Sequence, residues 1–170
     1  KRQQVVNNNQ SSQQLNQGAE QNTSENQVQE QDTKKTELQE LVDYEIPELG
    51  IKFKIRKDLK NDLIYYYESG KDYESANFSL KSLENSGEDC KPQKSPLGSL
   101  IKLNGKTDDY DQYIQSRVLK QFPGFIVYFN GPQSPCLDDQ NLMNSIMERA
   151  VNADRVGTLG RIKENIELIK

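Results

Sequence analysis

A Gln/Asn-rich run fills the start of this chain and stops near Thr36. From Gln3 to Thr36 it holds no aromatic residue and only scattered apolar ones, such as Val5, Leu15 and Val28. Such a stretch cannot bury enough apolar surface to offset the entropy of ordering it. Residues 1–36 are therefore expected to form a disordered spacer. Gln/Asn richness also marks aggregation-prone sequence, but Glu20, Glu25, Glu30 and Asp32, with interspersed Ser and Thr, favour a solvated tether. Residues 37–170 have Tyr-, Ile-, Leu- and Phe-bearing segments separated by turn residues, enough for one domain with a modest core.

Composition excludes several function classes. The net charge of −4 is mild and no long basic run exists, so nucleic acid is not an expected partner. No apolar run is long enough to span a bilayer. Lys1 and Arg2 precede the spacer directly, as basic residues do beside a transmembrane end, so an upstream membrane anchor is expected. Histidine is absent, which removes the commonest general base and the commonest transition-metal ligand. There is no nucleophile elbow, P-loop or dinucleotide fingerprint. No cofactor and no metal are expected.

The folded part reads as strands first and helices later. Ile51, Phe53 and Ile55 alternate with Lys52, Lys54 and Arg56, which predicts a strand with its lysines and arginine in water. Leu38, Leu41 and Val42 share a helical face, so 37–42 is expected to be a helical lead-in. Residues 57–62 predict a turn or a single helical turn. Residues 63–68 are β-prone through Ile64, Tyr65, Tyr66 and Tyr67. Ser69-Gly70-Lys71-Asp72 is a turn signal, and Ala76, Phe78 and Leu80 predict a half-buried strand. A polar loop over 84–96 leads to a strand at 97–103, closed by Asn104-Gly105. Tyr110, Ile114, Val118 and Leu119 suggest a helix over 108–121. Phe125 to Phe129 is apolar on both faces, as in a central strand.

Asp138 or Asp139 can cap a helix carrying Leu142, Met143, Ile146, Met147 and Ala150. Leu159, Ile162, Ile166 and Ile169 predict a second one, with Gly157 and Gly160 breaking the two apart. The fold class is α+β: an antiparallel sheet of about five strands packed with C-terminal helices.

Two cysteines, Cys90 and Cys136, lie in different loops. An even count without CxxC spacing suggests one disulfide, against the alternative of two buried thiols in a reducing compartment. Alternation places Tyr66 on the opposite sheet face from Tyr65 and Tyr67. Cross-strand pairing is the simpler reason for tyrosines in strands. As a binding face, the candidates are Tyr66 and Tyr73, since exposed tyrosines provide contact area at low entropy cost. The stripe Lys52, Lys54, Arg56, Lys57 and Lys60 reads mainly as a solvated face. Asp108, Asp109 and Asp111 lack the glycine of a calcium loop and read as an acidic turn. Asn9, Asn22 and Asn77 match the N-glycosylation pattern, which matters only on a eukaryotic secretory route.

The stretches IPELGIKFKI, LIYYY, NFSLKSL, PLGSLIKLNG and GFIVYFNGPQSPC resemble small membrane-anchored proteins of Saccharibacteria-type episymbiotic bacteria. That resemblance covers roughly residues 45–136. It implies an N-terminal transmembrane helix, a polar spacer and an extracytoplasmic domain, and it matches Cys90 and Cys136 to that group's cysteine pair. It transfers no catalytic residue. The resulting expectation is a non-catalytic extracytoplasmic interaction domain of a membrane-anchored cell-envelope protein. Its partner would be a cell-envelope or host-surface protein or polymer. The alternatives are an envelope hydrolase using carboxylates, or a truncated pilin-like subunit.

Overall fold

In the computed structural model, residues 40–170 are described; the expected spacer lies outside them. The fold is α+β with two antiparallel sheets. Strands β1 (Leu41–Ile46), β2 (Ile51–Arg56) and β8 (Glu167–Leu168) form the smaller sheet, in the order β1-β2-β8. The larger sheet contains β3 (Leu63–Ser69), β4 (Tyr73–Leu80), β5 (Ser99–Asn104), β6 (Val118–Phe122) and β7 (Phe125–Asn130), in the order β3-β4-β5-β7-β6. The helices are α1 (Lys57–Lys60), α2 (Gln112–Gln115) and α3 (Gln140–Ala150).

The core lies between the sheets. Ile51, Phe53 and Ile55 of β2 are fully buried, as their alternation predicts, and meet Phe78 and Leu80 of β4 and Leu100 of β5. The Phe53 and Phe78 rings stand edge to face with centroids 6.5 Å apart. Tyr44 of β1 contacts Phe53 and Tyr65, so aromatic rings join both layers. Ala150 of α3 and Leu159, Ile162 and Ile166 complete the cluster. Asp139 caps α3 by accepting from the Asn141 and Leu142 amides.

Several expectations are corrected. Leu41 and Val42 belong to β1, because pairing with Arg56 and Ile55 satisfies backbone groups that a helical lead-in of one or two turns would leave open. The expected helix over 108–121 reduces to the single turn α2, capped by Asp111, followed by β6. Val118 and Leu119 had suggested the helical face, but β7 offered an open edge and pairing with it took precedence. The second C-terminal helix is absent. Residues 159–164 form a 3-10 segment interrupted at Arg161, and Glu167–Leu168 adds β8 to β2. A Cβ on Gly160 would lie 2.1 Å from the Val151 carbonyl oxygen, so the chain packs back on the end of α3 there instead of continuing as a helix. From Ser75 to Leu80, β4 is buried on both faces, Asn77 and Ser79 included. Arg56 is buried too: its amide donates to the Gly157 carbonyl, and its side chain turns inward to Asp58.

Candidate functional site

Cys90 and Cys136 form a disulfide, with Cα atoms 5.0 Å apart. Cys90 is fully buried, and its carbonyl accepts from the Ser79 hydroxyl on β4. The bond therefore ties the loop after β4 to the segment that leads into α3. A structural disulfide is formed and kept in oxidising compartments, and this one suggests an extracytoplasmic setting.

The outer face of the large sheet, opposite the core, carries the predicted tyrosines. β3 and β4 pair Tyr65 with Phe78 and Tyr66 with Asn77. Phe78 faces the core, so period-2 alternation sends Tyr66 and Asn77 outward. Glu68 pairs with Ser75, and Asn77 with Ser99, on that same face. Tyr66 is 43% exposed and Tyr73 38% exposed. The large sheet therefore brings both candidate tyrosines to one surface. Cross-strand pairing explains why Tyr65 and Tyr67 are in β3, but it does not account for these two exposed rings.

Glu68, two residues beyond Tyr66, was not singled out in the sequence. Tyr73 donates its phenol hydrogen to Glu68 Oε1 at 3.0 Å. Asn77 Nδ2 approaches Glu68 Oε2 at 3.4 Å, and Ser99 Oγ donates to Asn77 Oδ1 at 2.7 Å. Four residues from three strands thus share one polar network. Strand alternation could have placed Glu68 beside Tyr66; its link to Tyr73 depends on the hairpin register. Gly70 makes room for that link, since a Cβ there would fall 2.2 Å from the Tyr73 ring. The hydrogen bond to Glu68 and the negative charge of that carboxylate both raise the Tyr73 phenol pKa. Asn77, which matches the N-glycosylation pattern, has its side chain buried and engaged in this network.

The segment between β5 and β6 borders this face. Tyr113 donates to Asn130 Oδ1 at 3.1 Å, and the Arg117 guanidinium lies 3.7 Å from the Tyr113 ring centroid. The Tyr110 phenol pKa is raised by burial and then by Asp109 and Asp72. Asp109 accepts from the Lys106 amide, and Asp111 caps α2. These acids act as turn caps, and no group of metal-ligating side chains forms among the described residues.

The other titratable clusters are structural in geometry. Arg56 grips Asp58 through Nε at 2.9 Å and Nη2 at 2.5 Å, while Arg149 of α3 reaches Asp62 at 2.9 Å. Burial raises the Asp58 and Asp62 pKa values. For Asp58 the arginines outweigh it; for Asp62 the Ser82 hydrogen bonds and Arg149 do, leaving both carboxyls lowered. Carboxylates held ionised in this way are poorly placed for proton transfer near neutral pH. Burial pushes the Tyr44 phenol to about 12. Three lysines of the basic stripe are matched by acids: Lys54 with Asp43, Lys57 with Glu40 and Lys52 with Glu167.

A concavity of about 290 Å³ lies between the Pro132–Pro135 turn and α3, lined in part by Gln140, Met143, Asn144 and Met147. No titratable side chain lines it. No helix among the described residues is long and apolar enough to cross a membrane. The chain matches no protein-family model, no curated protein and no solved structure.

Proposed function

We propose that this chain is a non-catalytic interaction domain of a membrane-anchored cell-envelope protein. It works on the extracytoplasmic side and binds through the outer face of its large sheet. The observation that carries this reading is the pair of exposed rings, Tyr66 and Tyr73, flanking Glu68 on a rigid hydrogen-bonded floor. Exposed aromatic side chains on a fixed scaffold are favourable contact groups, since little rotamer freedom is lost on binding. The disulfide supports the compartment, and the polar run ahead of the domain supports a role held away from a surface.

The test compares capture of isolated cell-envelope and host-surface fractions by the wild type, Tyr66→Ala and Tyr73→Ala. Both substitutions are expected to weaken capture while lowering stability by less than about 1 kcal/mol, as for exposed side chains. Large stability losses with unchanged capture would count against this face. Turnover of an envelope substrate, abolished by replacing one or two carboxylates, would overturn the non-catalytic reading itself.

A further inference from the structure

We infer that the outer face of the large sheet binds a lysine- or arginine-bearing segment of a protein partner, with Glu68 receiving the cationic side chain between Tyr66 and Tyr73. This inference rests on the interaction-domain reading and specifies the partner's chemistry.

Charge is the first reason. Glu68 makes no ion pair among the described residues, whereas Asp43, Asp58, Asp62 and Glu74 each face a lysine or arginine. Its partners are neutral donors, the Tyr73 hydroxyl and the Asn77 amide. They orient the carboxylate but leave its charge uncompensated. A carboxylate has about four lone-pair directions, so two hydrogen bonds leave acceptor capacity for an incoming ammonium or guanidinium. That charge is felt locally: the hydrogen bond to Glu68 and the negative charge of its carboxylate both raise the Tyr73 phenol pKa.

The flanking rings are the second reason. Tyr66 lies two positions from Glu68 on one strand face, and Tyr73 is hydrogen-bonded to it. A cation over a tyrosine ring is attracted by the ring's negative face, and a carboxylate beside that ring adds to the attraction. The fold already shows this preference, with Arg117 over Tyr113 and Lys102 over Phe125. Both of those cations belong to the chain itself; among the described residues, none sits over the Tyr66 or Tyr73 ring.

The third reason favours a polypeptide over a sugar polymer. β3 is an edge strand, and among the described residues no strand pairs with its far side. An extended segment laid beside an edge strand can make main-chain hydrogen bonds and present alternate side chains to one face. The Tyr66–Glu68 face is one such position.

The test is an NMR titration of the full 170-residue chain with a capped lysine-rich peptide and with the same peptide carrying acetylated lysines. The lysine peptide is expected to shift the amides of Tyr66, Glu68 and Tyr73, and the acetylated peptide to bind about tenfold more weakly or worse. Glu68→Gln should weaken lysine-peptide binding by about tenfold, its unchanged remaining spectrum showing that the fold is intact. Shifts confined to another surface, equal binding of the two peptides, or no effect of Glu68→Gln would each overturn the inference. A neutral oligosaccharide that shifts these amides when the lysine peptide does not would also overturn it. Envelope capture that depends on Tyr66 but not on Glu68 would end the cationic assignment and leave the interaction-domain reading standing. Loss of neither would end both.

Discussion

Arg149 Nη1 donates to Asp62 Oδ2 at 2.9 Å and joins the only α-helix of more than two turns among the described residues to the start of β3. The same guanidinium reaches the Asp58 carbonyl at 3.2 Å, and Asp58 in turn holds the buried Arg56. Two arginines and two aspartates therefore fasten α3 to the corner between the sheets. One atom of the group, Arg56 Nη1, is buried with no hydrogen-bond partner among the described residues.

That network gives the stability a definite pH dependence. Asp58 and Asp62 have folded pKa values below the reference of 3.8. A depressed carboxylate contributes stability that is fully present above its unfolded pKa and lost as pH falls through the folded value. Unfolding free energy should be flat down to about pH 5 and fall through and below about pH 4. Arg149→Met should cost about 1 to 2 kcal/mol at neutral pH, between the limits for exposed and buried pairs. It should also flatten the acid limb. Urea midpoints across pH check both statements; an unchanged acid limb in the variant would place the dependence elsewhere.

The disulfide closes a loop with a sequence separation of 46 residues. The chain-entropy argument assigns such a loop about 4 kcal/mol. Replacing both cysteines by serine should lower stability by up to that amount. Intact mass before and after reduction should differ by two hydrogens. Equal masses, with two free thiols in oxidised material, would count against the bond.

Gly157 has φ +77°, and a Cβ there would lie 2.5 Å from Leu41 Cδ2 and 2.8 Å from the Arg56 backbone nitrogen. Both the left-handed backbone and the crowding oppose a side chain. Gly157→Ala should therefore destabilise by about 2 kcal/mol or more. A thermal melt within a degree or two of the wild type would show that the 156–158 segment relaxes freely.

Phe78 is fully buried and meets both Phe53 and Tyr65 across the layer interface. Phe78→Ala should cost about 3 to 5 kcal/mol from lost burial and the cavity left behind. Chemical denaturation measures this directly. A loss below about 1 kcal/mol would mean that the two sheets do not depend on this contact.

Much of the fold was legible wherever periodicity was local. Ile51, Phe53 and Ile55 announce β2, and Asp139 with Met143 and Ile146 announces α3, because burial on one face imposes a period that a single segment can display. The face carrying Tyr66 was legible by the same parity. The pairing of Glu68 with Tyr73 was not, because it requires the register of the whole hairpin and the space above Gly70.

By itself, the sequence determined which residues seek the core, where the chain turns, and that a lone pair of cysteines was available. These follow from hydrophobicity, backbone preference and composition, which each residue brings with it. Only the tertiary structure decided the rest. Val118 to Phe122 became a strand because β7 offered an open edge, and Glu167–Leu168 joined β2 although Ile162, Ile166 and Ile169 have helical spacing. Arg56 went inside because Asp58 and the Gly157 carbonyl were there to meet it. In each case the decisive partner is distant in sequence or fixed by a backbone turn, and the energy of meeting it exceeds the weak local preference of the segment.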